Sequence, residues 1–160
     1  MQFEERDNRL LLVDDDEMVL SSLTALLELE TEYRVHTARG GEQALTVAGE
    51  HQLDLVISDY LMPGMNGIDL LARLREDQPW APRILLTGYA DKENAIRAIN
   101  EVALFQYIEK PWDNAHLLLV IRNALERRNL LRALQQKIAE ADQAAGRLDS
   151  LQQDILRAFI

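Results

Sequence analysis

The chain has 160 residues, is 48% hydrophobic and carries a formal charge of −10, which allows one sizeable core with an appendage and excludes two full domains. It has no cysteine, so disulfides, thiolate metal sites and thiol catalysis are excluded and a cytoplasmic setting is expected. The net acidity excludes a general nucleic-acid binder, whose footprint would be basic, and neither a signal peptide nor an apolar run long enough to span a membrane is found.

After a polar lead over residues 1–8, Leu10 to Val13 reads as a first strand, directly followed by Asp14-Asp15-Asp16-Glu17. Met18, Leu20, Leu23, Leu26 and Leu27 then recur at helical spacing, which predicts an amphipathic helix to about Glu30. Tyr33 to Ala38 is a weaker second strand, Gly40-Gly41 marks a turn, and Ala44, Leu45, Val47 and Ala48 give a second helix ending near Gly49. The third strand carries Leu53, Leu55, Val56 and Ile57 and stops at Asp59, before the turn signals Pro63, Gly64, Asn66 and Gly67. Ile68, Leu70, Leu71 and Leu74 make a third helix, and Pro79 and Pro82 bracket a loop with Trp80. Arg83 to Thr87 is a fourth strand, Ala90 to Asn100 a fourth helix with Ala95, Ile96 and Ile99 as its apolar face, and Leu104 to Ile108 a fifth strand before Glu109-Lys110-Pro111.

Five strands alternating with helices predict βαβ units, hence a doubly wound α/β fold with a parallel sheet covered on both faces. In such a sheet ligands bind beyond the carboxyl ends of the strands. There the chain places Asp14 and Asp15, then Asp59, Thr87 and Lys110. Oxygen donors select hard cations such as Mg²⁺. Three converging carboxylates require a divalent ion or a cation such as Lys110 to offset their repulsion. A carboxylate is also a competent nucleophile towards phosphorus, and a metal, an ammonium and a hydroxyl together match the oxygens of a phosphoryl group. Asp16 and Glu17 read as the first turn of a helix, favoured there by its dipole. The scattered His36, His51 and His116 read as structural or solvated.

In these residues and their order, the chain from about Arg9 to Arg122 resembles the receiver domain of two-component response regulators, the CheY-like family. The resemblance implies the flavodoxin-like sheet order 2-1-3-4-5 and a phosphoryl group taken from a sensor histidine kinase or phosphotransfer protein. Asp59 resembles the phosphoacceptor, and Asp14 and Asp15 the pair that holds Mg²⁺, with the Leu61 backbone carbonyl as a further ligand. Thr87 and Lys110 resemble the hydroxyl and cation that contact the phosphoryl group, and Tyr107 the aromatic switch that follows Thr87. The Lys110-Pro111 peptide is implied to be cis. Leu61 and Tyr89 resemble, by position, the two residues that tune hydrolysis in the family, and neither side chain readily positions a water, so slow self-dephosphorylation is expected. The resemblance implies a signalling phosphoacceptor rather than an enzyme for an external substrate. A Mg²⁺-dependent phosphohydrolase, an alternative, usually needs an acid where this chain has Leu61, and a phosphorylation-independent adaptor leaves the intact acidic set without a role.

The receiver is expected over residues 9–124, with residues 125–160 a helical extension. Asp113 is a plausible N-cap, and from Leu117 a heptad runs to the end of the chain. Its a positions are Leu117, Ala124, Leu131, Ile138, Ala145, Gln152 and Phe159, and its d positions Val120, Arg127, Leu134, Ala141, Leu148 and Ile155. From Asp113 on, six acids are set against seven bases, so the tail is nearly neutral. This pattern predicts a marginal homodimer whose partner-facing part begins near Leu130, or a link to an output module outside this sequence. No basic recognition helix is present, so direct DNA binding by this segment is not expected.

Overall fold

The computed structural model describes residues 8–88 and 91–159. Residues 1–7 of the expected lead, Tyr89, and Ala90 at the expected start of the fourth helix lie outside them. The elements alternate as β1 (Arg9–Val13), α1 (Glu17–Glu30), β2 (Arg34–Ala38), α2 (Gly41–Glu50), β3 (Leu55–Asp59), α3 (Gly67–Asp77), β4 (Arg83–Thr87), α4 (Lys92–Glu101), β5 (Gln106–Glu109) and α5 (Asn114–Phe159). All four strand pairings are parallel, and the sheet order is β2-β1-β3-β4-β5. This is the doubly wound, flavodoxin-like arrangement expected from the alternation of strands and helices.

Contacts divide the chain after Leu125 into two compact units, with the sheet in the first. Alternation along the strands splits the core of that unit into two clusters. Leu11, Val13, Val56 and Leu85 pack with Ala44 of α2, Leu70, Leu71 and Leu74 of α3 and Ala95 of α4. Leu10, Leu12, Leu55, Ile57, Ile84 and Leu86 pack with Leu20, Leu23 and Leu27 of α1 and Leu117, Val120, Ile121 and Ala124 of α5. With both faces covered, β3 and β4 are buried at every position, which is why they read as near-continuous apolar runs.

Three expectations need correction. Met18 and Ile96 are 78% and 48% exposed and Ile99 is 38% exposed, so helical spacing put them on an apolar face that the fold leaves partly in solvent. The fifth strand begins at Gln106, and Leu104 is buried ahead of it in the loop. The histidines are not all scattered, because topology brings two of them together. The rings of His36 on β2 and His51 at the end of α2 stack with centroids 4.3 Å apart, and an Arg9 guanidinium nitrogen lies 2.6 Å from His51 Nδ1.

Two polar side chains lock the loops at the amino ends of the strands. The Gln78 amide accepts from the Leu53 N–H (2.6 Å) and donates to the carbonyls of Ala48 (2.8 Å) and His51 (2.9 Å), tying the ends of α2 and α3 to the entry of β3. The buried Arg83 guanidinium donates to the carbonyls of Ala81, Val102 and Ala103 at 3.0 to 3.1 Å, and Ala103 sits at φ 50°, an uncommon conformation for a residue with a Cβ.

His36 is half-buried and its Nε2 has no hydrogen-bond partner. Burial, followed by His51, Arg9 and Arg34, holds its pKa below the ordinary 6.5. The neutral form is therefore favoured in the fold, so its contribution to stability is complete above 6.5 and is lost as the pH falls through the depressed folded value. Urea unfolding midpoints should drop on acidification below 6.5, and His36→Leu should flatten that drop; an unchanged slope in the variant would assign the acid sensitivity elsewhere.

Candidate functional site

Parallel pairing sets the strand ends side by side. Val13 is in register with Ser58, and Asp59 with Leu86, so Asp14 emerges from the end of β1 beside Asp59 at the end of β3. Asp14 and Asp59 are only 1% and 8% exposed, whereas Asp15 is exposed. Carboxylate oxygens of Asp14, Asp15 and Asp59 lie within 4.8 Å of one another. Lys110 follows β5, and its backbone N–H donates to the Thr87 carbonyl at 2.8 Å. Its ammonium then reaches Asp14 Oδ2 at 2.8 Å and Asp59 Oδ1 at 3.1 Å. The Lys110-Pro111 peptide is cis.

These contacts set the protonation of the site. Burial, and then the neighbouring Asp14, push the Asp59 carboxyl above its ordinary 3.8, against the opposing pull of Lys110. Burial works against the Lys110 charge, but its hydrogen bonds to Asp14 and Asp59 outweigh this and raise its pKa. The site is thus short of positive charge when Asp59 ionises. Mg²⁺ fits that deficit, for Asp14, Asp15 and Asp59 offer the hard oxygen donors such an ion takes. Bound there, it would supply charge neutralisation to the carboxylates and to any phosphoryl oxygen beside them.

Thr87 ends β4 one residue beyond the register partner of Asp59. It is fully buried, and its Oγ1 has no hydrogen-bond partner. Buried polar groups are almost always satisfied, so an orphaned hydroxyl at the carboxyl edge of a sheet is what a site awaiting an anion would show. Tyr107, on β5 beside Leu85 in the register, is half-buried against the α2, α3 and α4 side of the core. Leu61 is 61% exposed two residues past Asp59. Asp16 and Glu17 take the helix-terminal parts expected of them: Asp16 Oδ1 accepts from the Met18 N–H at 2.9 Å, and Glu17 is ion-paired with Arg39. Asp16 also donates its own N–H to Asp14 Oδ1 at 2.9 Å, fixing that carboxylate.

The model of the response regulator receiver domain matches residues 10–122. The chain belongs to that family. The receiver is 34% identical over 120 residues to the hydrogenase transcriptional regulatory protein HoxA of Cupriavidus necator, a match covering 75% of this chain and 24% of that protein. It is 34% identical over 137 residues to the regulatory protein AtoC of Escherichia coli, covering 86% of this chain and 28% of AtoC. The chain thus spans about a quarter of the length of these curated relatives. Among solved structures, it is similar to the signal receiver domain of an HD domain-containing protein from Pseudomonas fluorescens Pf-5, with a TM-score of 0.74 and 43% identity over 78% of this chain and 98% of that one. Receiver domains are signalling domains, and among the described residues no helix is long and apolar enough to cross a membrane.

Gly67, a turn signal in the sequence, also shapes this site. A Cβ there would lie 2.0 Å from the backbone oxygen of Asp59, while its N–H donates to the Tyr60 carbonyl at 2.8 Å. The first turn of α3 therefore packs directly on the backbone that carries Asp59. Gly64, at φ 79° in the preceding loop, turns the chain towards it.

Two outcomes follow for this receiver. Gly67→Ala must displace the Asp59 backbone, and chemical denaturation should show a loss of about 3 kcal/mol, at the upper end of overpacking costs; an unperturbed midpoint would mean that the approach of α3 is not tight. The raised Asp59 pKa means that, without metal, stability falls as the pH climbs from 3.8 through the folded value, and the full penalty persists at neutral pH. Metal-free Asp59→Asn should therefore melt higher than the wild type at neutral pH, and the difference should vanish on acidification below 3.8.

Proposed function

We propose that this receiver takes a phosphoryl group onto Asp59 from the phosphohistidine of a sensor kinase or phosphotransfer protein, with Mg²⁺ bound by Asp14, Asp15, Asp59 and the Leu61 carbonyl. The observation that carries this reading is the Lys110 ammonium held 3.1 Å from a nearly buried strand-end carboxylate inside a cluster of three. An Asp59 oxygen attacks phosphorus, the phosphorus–nitrogen bond breaks, and its electron pair returns to the imidazole. Lys110 stays within reach of both Asp59 and the incoming oxygens, neutralising charge where it builds up. The Thr87 hydroxyl, without a partner in the resting fold, then has an acceptor in a phosphoryl oxygen.

Movement of Thr87 towards that oxygen empties space beside Tyr107, which turns inward and alters the surface formed by α4, β5 and the first turns of α5. The partly exposed Ile96 and Ile99 and the Lys92–Glu109 ion pair at 3.6 Å lie on that surface. The helix beyond Leu125 passes the change to a second copy through dimer geometry, or to an output module. The names of the longer relatives, which are transcriptional regulators, support an output in gene control, and the receiver of an HD domain-containing protein supports an output module of another kind. A phosphohydrolase is disfavoured, because Leu61 stands where the second acid would be.

Beryllofluoride, a mimic of the phosphoryl group, tests the reading. With Mg²⁺ it should bind stoichiometrically by NMR and shift the Thr87 and Tyr107 resonances. Asp59→Asn should abolish binding, and Lys110→Met should weaken it by at least about tenfold, the loss of one charged contact. Binding that survives in Asp59→Asn would overturn the assignment.

A further inference from the structure

From Glu126 onward the chain is one helix, whose large apolar side chains have no core to enter. Leu131, Leu134, Ile138, Leu148 and Ile155 are 46 to 62% exposed, and all five stand at a or d of the heptad. A helix exposing such a stripe is normally covered.

We propose that it is covered by the same helix of a second copy, running parallel and in register. This rests on the dimer reading above and fixes the geometry that reading leaves open. Charge beside the seam decides the direction. In a parallel pair each g residue meets the e residue five positions later on the partner, which sets Lys137 against Asp142 and Leu151 against Leu156, each twice by symmetry. An antiparallel pair sets e against e and g against g. The e row then offers Asp142 and Asp149 only to one another, to Gln135 and Leu156, or to Arg128, which is 7% exposed and donates to Asn129 Oδ1 at 3.0 Å within its own helix, and the g row of Leu130, Lys137, Ala144, Leu151 and Ala158 offers Lys137 no acid. Within the single helix, Lys137 reaches Glu140 only at 3.8 Å, an exposed pair of small worth.

The seam itself decides the register. Beyond Leu130 it contains one polar residue, Gln152 at an a position. In register, Gln152 meets its own copy, and each side-chain carbonyl can accept from the other amide. A shift of one heptad sets it against Ala145 or Phe159, and an antiparallel pair sets it against the apolar d row, leaving a buried amide without a partner. Ala141 and Ala145 leave the centre of the seam thin, so two good flanking pairs and one polar layer weigh heavily in the choice.

The chain has no cysteine of its own, so one introduced thiol reports orientation without ambiguity. In the full chain, Ala145→Cys should form a disulfide-linked dimer under mild oxidation, because parallel in-register a positions bring the two Cβ atoms together, whereas an antiparallel pair sets residue 145 against the partner's d row. Lys137→Asp should raise the dimer dissociation constant by about tenfold, from two attractive pairs made repulsive, and the added Asp142→Lys should restore it. Wild-type protein that sediments as a monomer at every concentration would overturn the dimer reading itself. A dimer in which Ala145→Cys gives no cross-link, or that ignores the charge exchange, would keep the dimer and overturn the parallel register.

Discussion

Three carboxylates on one sheet edge are a standing repulsion, and the placement of Lys110 answers it. The ammonium sits between Asp14 and Asp59 at 2.8 and 3.1 Å, anchored because its own backbone N–H bonds the carbonyl of Thr87. Even so, Asp59 is held above its ordinary pKa, so one lysine does not balance the cluster. A site left with too much negative charge and an unsatisfied buried hydroxyl gains from a cation and an anion together. That pairing is what the proposed Mg²⁺-assisted phosphoryl transfer would bring.

The rest of the first unit keeps those groups in place. Parallel order 2-1-3-4-5 sends β1, β3, β4 and β5 out on the same edge, so residues 14, 59, 87 and 110 meet although nearly a hundred positions separate the first and last. At the opposite edge Gln78 and Arg83 satisfy loop carbonyls that helices and strands leave open. Gly67 lets α3 start against the backbone of Asp59. The acidic edge, by contrast, carries a carboxylate repulsion that Lys110 offsets only in part.

Much of this was legible in the sequence, because Asp59 and Thr87 end their strands and Asp14 and Lys110 directly follow theirs, so the apolar runs alone place this chemistry at strand ends. Less legible was whatever depends on which surface covers another. Helical periodicity identifies that Met18, Ile96 and Ile99 share faces with buried neighbours, yet the fold leaves them partly in water, since periodicity reports a direction and not a partner. The His36–His51 stack joins side chains from β2 and the end of α2, and only the tertiary crossover makes them neighbours. Gly67 reads in sequence as one more turn glycine; its close approach to the Asp59 carbonyl exists only once α3 is docked.

Asp59 is the proposed site of modification. Treating the protein with a small acyl-phosphate donor and Mg²⁺, reducing the acyl phosphate with borohydride and mapping the peptides by mass spectrometry tests it most directly. A single Mg²⁺-dependent modification, at Asp59, is expected. Modification at Asp14 or Asp15 instead, or none under conditions where Mg²⁺ binds, would contradict it.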